Sequence, residues 1–96
     1  MENDSILMAY YKKCKANLDS PIALDMCDTL FVRSEKAGNR RLMAIAKCLK
    51  LDYYYYKNDE ENILKSVKEA KLISRKYNQL KYYYFAWGSR LIIYYL

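Results

Sequence analysis

The chain is expected to be all-α, about five helices folded as antiparallel hairpins, and three features of the sequence carry that expectation. Glycine and proline number only 2 and 1 in 96 residues, so each reads as a break between long runs. Those runs are too long for strands, although tyrosine and isoleucine favour strands and Tyr53 to Tyr56 alone could form one. Apolar residues recur at three- and four-residue steps, as a helix with one buried face requires: Ala23, Met26, Cys27, Leu30, Ser34 and Ala37 in one run, Ile63, Val67, Ala70, Ile73 and Tyr77 in another.

The breaks set the boundaries. Asp19-Ser20-Pro21 reads as a helix start, with a polar N-cap and proline in the first turn. Gly38-Asn39 supplies a left-handed residue to close one helix and a side chain to cap the next. Asn58-Asp59-Glu60-Glu61 places acidic groups at a helix N-terminus, where the dipole favours them, and Tyr77-Asn78-Gln79 is a weaker break. The helices fall at about 4–17, 21–37, 40–57, 60–77 and 80–96, giving one domain over 1–96 made of the pairs 4–37 and 40–77 plus a terminal helix 80–96. The third and fifth are apolar over much of their circumference and are expected to touch neighbours on more than one side.

An offset of 40 residues aligns Leu24 with Leu64, Ser34 with Ser74, Lys36 with Lys76, Ala46 with Ala86, Leu51 with Leu91, Tyr54 with Tyr94 and Tyr55 with Tyr95, while Gly38 falls on Asn78. The unit is a helix pair used more than once, the pattern of a solenoid whose units bury a face on each other. With Ile63, Val67 and Ala70 at its helix B spacing and Asn58-Asp59 at its turn, the chain resembles the tetratricopeptide-repeat superfamily. For helix A, either Cys48 and Gly88 fill the small-residue position or Trp87 and Tyr94 fill the Trp and Tyr positions. The unit is 40 residues rather than about 34, Ile63 stands where an alanine is usual, and no proline closes a repeat. Stretched, tyrosine-rich repeats of this style occur in bacterial signalling and regulatory proteins, and the resemblance implies an N-terminal region of such a protein.

The resemblance further implies that the odd-numbered helices line a concave surface, and eleven of the 12 tyrosines lie on them. Both helix A registers select the same stripe: Leu42, Ile45, Leu49, Asp52 and Tyr55, then Tyr82, Phe85, Ser89, Ile92 and Tyr95. Tyrosine offers large contact area at small entropy cost, which suits a partner-binding groove, though the same rings can serve simply to fill space between helices. Ile92, Ile93, Tyr94 and Leu96 would leave an apolar patch on a terminal helix without a following partner, so self-association there, as a two-fold homodimer, is expected.

Composition narrows the function. There is no histidine, so the usual general base and the commonest metal ligand are both missing, and neither a Gly-rich phosphate loop nor a nucleophile elbow is present. No enzyme activity, cofactor or metal is expected. Cys14, Cys27 and Cys48 are too widely spaced for a zinc knuckle and odd in number, and read as small buried apolar residues in a reducing compartment. The start is acidic and lacks a signal-peptide pattern, and the apolar stretch 80–96 contains Lys81, Ser89 and Arg90, so a cytoplasmic chain with no membrane span is expected.

The net charge of +6 is unevenly held: residues 1–38 carry 5 basic and 6 acidic side chains, residues 39–96 carry 12 and 5. A basic, aromatic half could bind nucleic acid, but Lys65, Lys68, Lys71, Arg75 and Lys76 lie opposite an apolar face, the ordinary place for a solvated surface. The leading expectation is a non-enzymatic helical-repeat scaffold that binds a protein or peptide within a larger regulatory protein. The alternatives are a self-associating bundle and a nucleic-acid module.

Overall fold

The computed structural model describes residues 3–81, and within them four helices and no strand: α1 Asp4–Ala16, α2 Ala23–Lys36, α3 Arg40–Tyr56 and α4 Glu60–Lys76. The expected fifth helix, 80–96, lies outside the described residues apart from Leu80 and Lys81. Tyr82, Phe85, Ser89, Ile92, Ile93, Tyr94, Tyr95 and Leu96 lie outside them entirely.

One turn design recurs along the chain. Gly38, Asn58 and Asn78 each hold a left-handed backbone, with φ of 70, 56 and 58 degrees. In each case the next amide reaches back to a carbonyl five residues earlier: Asn39 to Ser34 at 2.8 Å, Asp59 to Tyr54 at 3.2 Å, Gln79 to Ser74 at 2.6 Å. These bonds satisfy carbonyls that the end of a helix leaves unpaired. Asn39 and Asp59 then cap the following helices, accepting from the Leu42 and Asn62 amides at 3.0 and 3.3 Å.

The start of α2 departs from the expected boundary. Ser20 accepts from the Ile22 amide through its hydroxyl at 3.3 Å and from the Ala23 amide through its carbonyl at 3.1 Å, so Pro21 and Ile22 form the corner of a turn and the helix begins at Ala23. Proline's fixed φ suits the second position of such a turn as well as it suits a first helical turn, and the serine hydroxyl decides between them.

α3 is the central element, packed against α1, α2 and α4. Lys47 lies 4.3 Å from the Phe31 ring centroid and Lys50 lies 3.5 Å from Asp28, so α2 runs antiparallel to α3. Lys47 also pairs with Glu69 while Arg40 lies 5.5 Å from the Tyr77 ring, which makes α4 antiparallel as well. The Asn39 amide donates to Asp4 at 2.9 Å and Cys14 shares a cluster with Leu49, so α1 lies parallel to α3. α1 and α3 form one layer, with α2 and α4 against it.

The buried residues of α2 are Ala23, Met26, Cys27, Leu30 and Ser34, and those of α4 are Ile63, Ser66, Val67, Ala70 and Ser74. Each member of the second set stands 40 positions after its counterpart in the first. Two clusters result. Cys14, Met26, Cys27, Leu30, Ala46 and Leu49 join α1, α2 and α3, and Cys48, Leu51, Ile63, Val67 and Ala70 join α3 and α4.

All three thiols are free and buried. Burial pushes Cys14 up, and pushes Cys27 and Cys48 up to about 12, with Cys14 and Asp28 beside Cys27 and Asp52 beside Cys48 acting in the same direction. A folded-state pKa above the unfolded one gives stability that is full below the unfolded value of 9.0 and is lost as pH rises towards about 12. At pH 8, Cys27 and Cys48 should react with iodoacetamide roughly three orders of magnitude more slowly in the folded chain than in denaturant, because only the thiolate attacks. Mass spectrometry of intact protein reads this directly, and rapid labelling of either residue without unfolding would contradict their placement.

Gly38 needs its positive φ, and a Cβ built there meets nothing within 4 Å. Gly38→Ala therefore carries only the backbone cost, about 1 kcal/mol, and should lower the melting temperature by several degrees. An unchanged melting temperature would mean that the left-handed turn is not maintained.

Candidate binding cleft

α1 ends at Ala16 while α3, parallel to it, continues to Tyr56, and the chain between α1 and α2 turns away. A cleft of about 520 Å³ opens between them. One wall is the end of α1 and the following turn, with Lys15, Ala16, Leu18 and Asp19; the other is the last turn of α3, with Asp52, Tyr53, Tyr56 and Lys57. Two cationic and two anionic side chains thus surround two aromatic rings and a leucine.

The four consecutive tyrosines divide between core and cleft. Tyr53, Tyr54 and Tyr55 are all half-buried; Tyr54 and Tyr55 pack against the α3–α4 cluster, whereas Tyr53 lines the cleft together with Tyr56, which is 66% exposed. The run is held as two edge-to-face pairs, Tyr53 with Tyr54 at 5.3 Å and Tyr55 with Tyr56 at 5.7 Å between centroids. In each pair a ring packed on the core braces one that lines the cleft, a favoured aromatic geometry. The Lys57 ammonium lies 5.6 Å from the Tyr53 ring centroid, adding a cation to the same wall.

Of the groove residues expected on α3, Asp52 alone lines this cleft. Leu42 and Leu49 are 1% and 3% exposed, and Leu49 belongs to the cluster with Cys14, Met26 and Leu30; both are core residues and are corrected as such. The cause is the packing of α1 and α2 against α3, which covers the stripe that would otherwise face a groove. Ile45 is half-buried and Tyr55 turns toward α4. Tyr53, Tyr56, Lys57 and the α1 wall were not singled out from sequence. Continuing the Ile45, Leu49, Asp52 steps by four rather than three residues reaches Tyr56, and that was the available signal.

The other surfaces are simpler. Lys68, Lys71, Leu72 and Arg75 border an open depression on the outer side of α4, and Lys65 pairs with Glu61 one turn back at 3.3 Å. Among the described residues, no group of three or more metal-ligating side chains converges and no helix is long and apolar enough to cross a membrane. Comparison with family models, with curated proteins and with solved structures finds no match for this chain.

Tyr54→Ala should destabilise the chain by about 2–3 kcal/mol, since it empties space against the α3–α4 cluster, while Tyr56→Ala should change stability by less than about 0.5 kcal/mol. Urea unfolding followed by circular dichroism separates the two. Equal losses would show that the run is not divided between core and cleft.

Proposed function

We propose that the chain is a non-enzymatic helical-repeat scaffold that binds an extended protein segment in the cleft between α1 and α3, as part of a larger regulatory or signal-transduction protein. The observation that carries this reading is a recess about 520 Å³ in volume lined by the half-buried Tyr53 and the exposed Tyr56. Cleft-lining tyrosines braced by neighbours packed on the core present preorganised area, so little side-chain entropy is lost on contact. Lys15 and Lys57 beside Asp19 and Asp52 supply both signs of charge, which favours a segment carrying both over a uniformly charged polymer such as nucleic acid. The recurrence of turns and buried positions at 40-residue spacing supports a hairpin repeat that could extend into a solenoid of tetratricopeptide-like style.

The test is selection of peptides from a random display library on the 96-residue chain, followed by titration of the selected peptides against Tyr53→Ala/Tyr56→Ala. Affinity should fall at least about tenfold with helicity retained, the size of loss expected when two central aromatic contacts are removed. Peptides that bind the double variant unchanged would place the site elsewhere, and a preference of the intact chain for RNA or DNA over all peptides would reject the reading.

A further inference from the structure

The outer faces of α2 and α4 are equivalent in position and opposite in charge. Opposite its buried residues, α2 carries Asp25, Asp28, Val32 and Glu35, all exposed; forty positions on, α4 carries Lys65, Lys68, Leu72 and Arg75, all exposed. Within the chain Asp28 pairs with Lys50 and Lys65 with the exposed Glu61, both at the surface, where such pairs are weak enough to exchange partners. Every acid of the first stripe is a base in the second, and the apolar residue recurs, with Val32 at 45% and Leu72 at 66% exposure. Lys47 of α3 reaches Phe31 on α2 and Glu69 on α4, so both helices flank the same side of α3. Both run antiparallel to α3 and are therefore parallel to each other. The two stripes lie side by side on one face of the molecule, an acidic one and a basic one at matching levels.

We propose that this face pairs two copies of the chain about a two-fold axis running along the helices, with α2 of each copy against α4 of the other. Such an axis exchanges the two stripes and keeps their direction, so Asp25 meets Lys65 of the second copy, Asp28 meets Lys68, Glu35 meets Arg75, and Val32 meets Leu72. Each contact occurs twice, which is the property of an isologous interface. The other two-fold axis in the plane of the face sets acid on acid and base on base, and like-charge juxtaposition disfavours it. This surface lies on the α2–α4 layer, away from the cleft between α1 and α3, so its test is independent of peptide binding.

The experiment uses two charge-reversed forms of the 96-residue chain, Asp25→Lys/Glu35→Lys and Lys65→Glu/Arg75→Glu, with mass read by light scattering and sedimentation over a concentration series. The unmodified chain should show a mass that rises with concentration to twice the monomer, at lower concentration in dilute salt than in 1 M salt, where exposed charges are screened within about 3 Å. Each charge-reversed form alone should remain monomeric at concentrations where the unmodified chain dimerises. Mixed in equal amounts they should recover the dimer, because the changes then restore opposite charges at every level. All four positions are exposed, and circular dichroism checks that helicity is kept. A monomeric unmodified chain at every concentration, a mixture of folded variants that stays monomeric, or a dimer that survives either reversal at unchanged strength would each overturn the proposal, the last pointing to the C-terminal residues instead.

Discussion

The left-handed residue at 38, 58 and 78 is the constraint on which the rest of this structure depends. Each is followed by an amide bonded to a carbonyl five residues back, so the chain leaves every one of these helices in the same direction relative to its axis. Linkers of three residues, Ala37–Asn39 and Lys57–Asp59, leave no freedom to place the next helix anywhere but against the last one. From that follow the antiparallel neighbours, the parallel relation of α2 with α4, and the burial of matching positions on both. The linker of residues 17–22 lacks such a residue, and there the chain diverges and the cleft opens.

With neighbours forced onto it from three sides, α3 has to be apolar over most of its surface, and its polar residues are used at the seams. Lys47 lies over Phe31 and pairs with Glu69, and its stem is mostly shielded while its ammonium joins two helices that do not touch each other. The last turn of α3 outruns α1. There the tyrosines begin, and the same run that closes the α3–α4 cluster with Tyr54 and Tyr55 lines the cleft with Tyr53 and Tyr56.

Charge follows the same division of labour. The acids of α2 and the bases of α4 become two neighbouring stripes, because the fold lays equivalent positions of the two helices on one face. A net charge of +6 would otherwise be read as a diffuse basic surface. Its segregation into complementary stripes gives specificity of pairing more than strength, since exposed pairs contribute little individually.

The sequence by itself determined the four described helices, the turns at 38, 58 and 78 and the burial of the cysteines. These rest on local chemistry, namely the left-handed preference of glycine and asparagine, the capping of Asn39 and Asp59, and the 3.6-residue period, all of which act within a few residues. It also showed that α3 has several neighbours, because an apolar circumference has no other stable solution. The exposed or covered state of the α3 stripe was not legible, since Leu42 and Leu49 are equally suited to a groove and to a core, and only the approach of α1 and α2 assigns them to the core. The same holds for the tyrosine run, whose members are identical in sequence and differ only in whether the α3–α4 cluster or the cleft lies opposite. Burial is a property of pairs of elements, and the relative placement of α1, α3 and α4 is decided by tertiary packing alone.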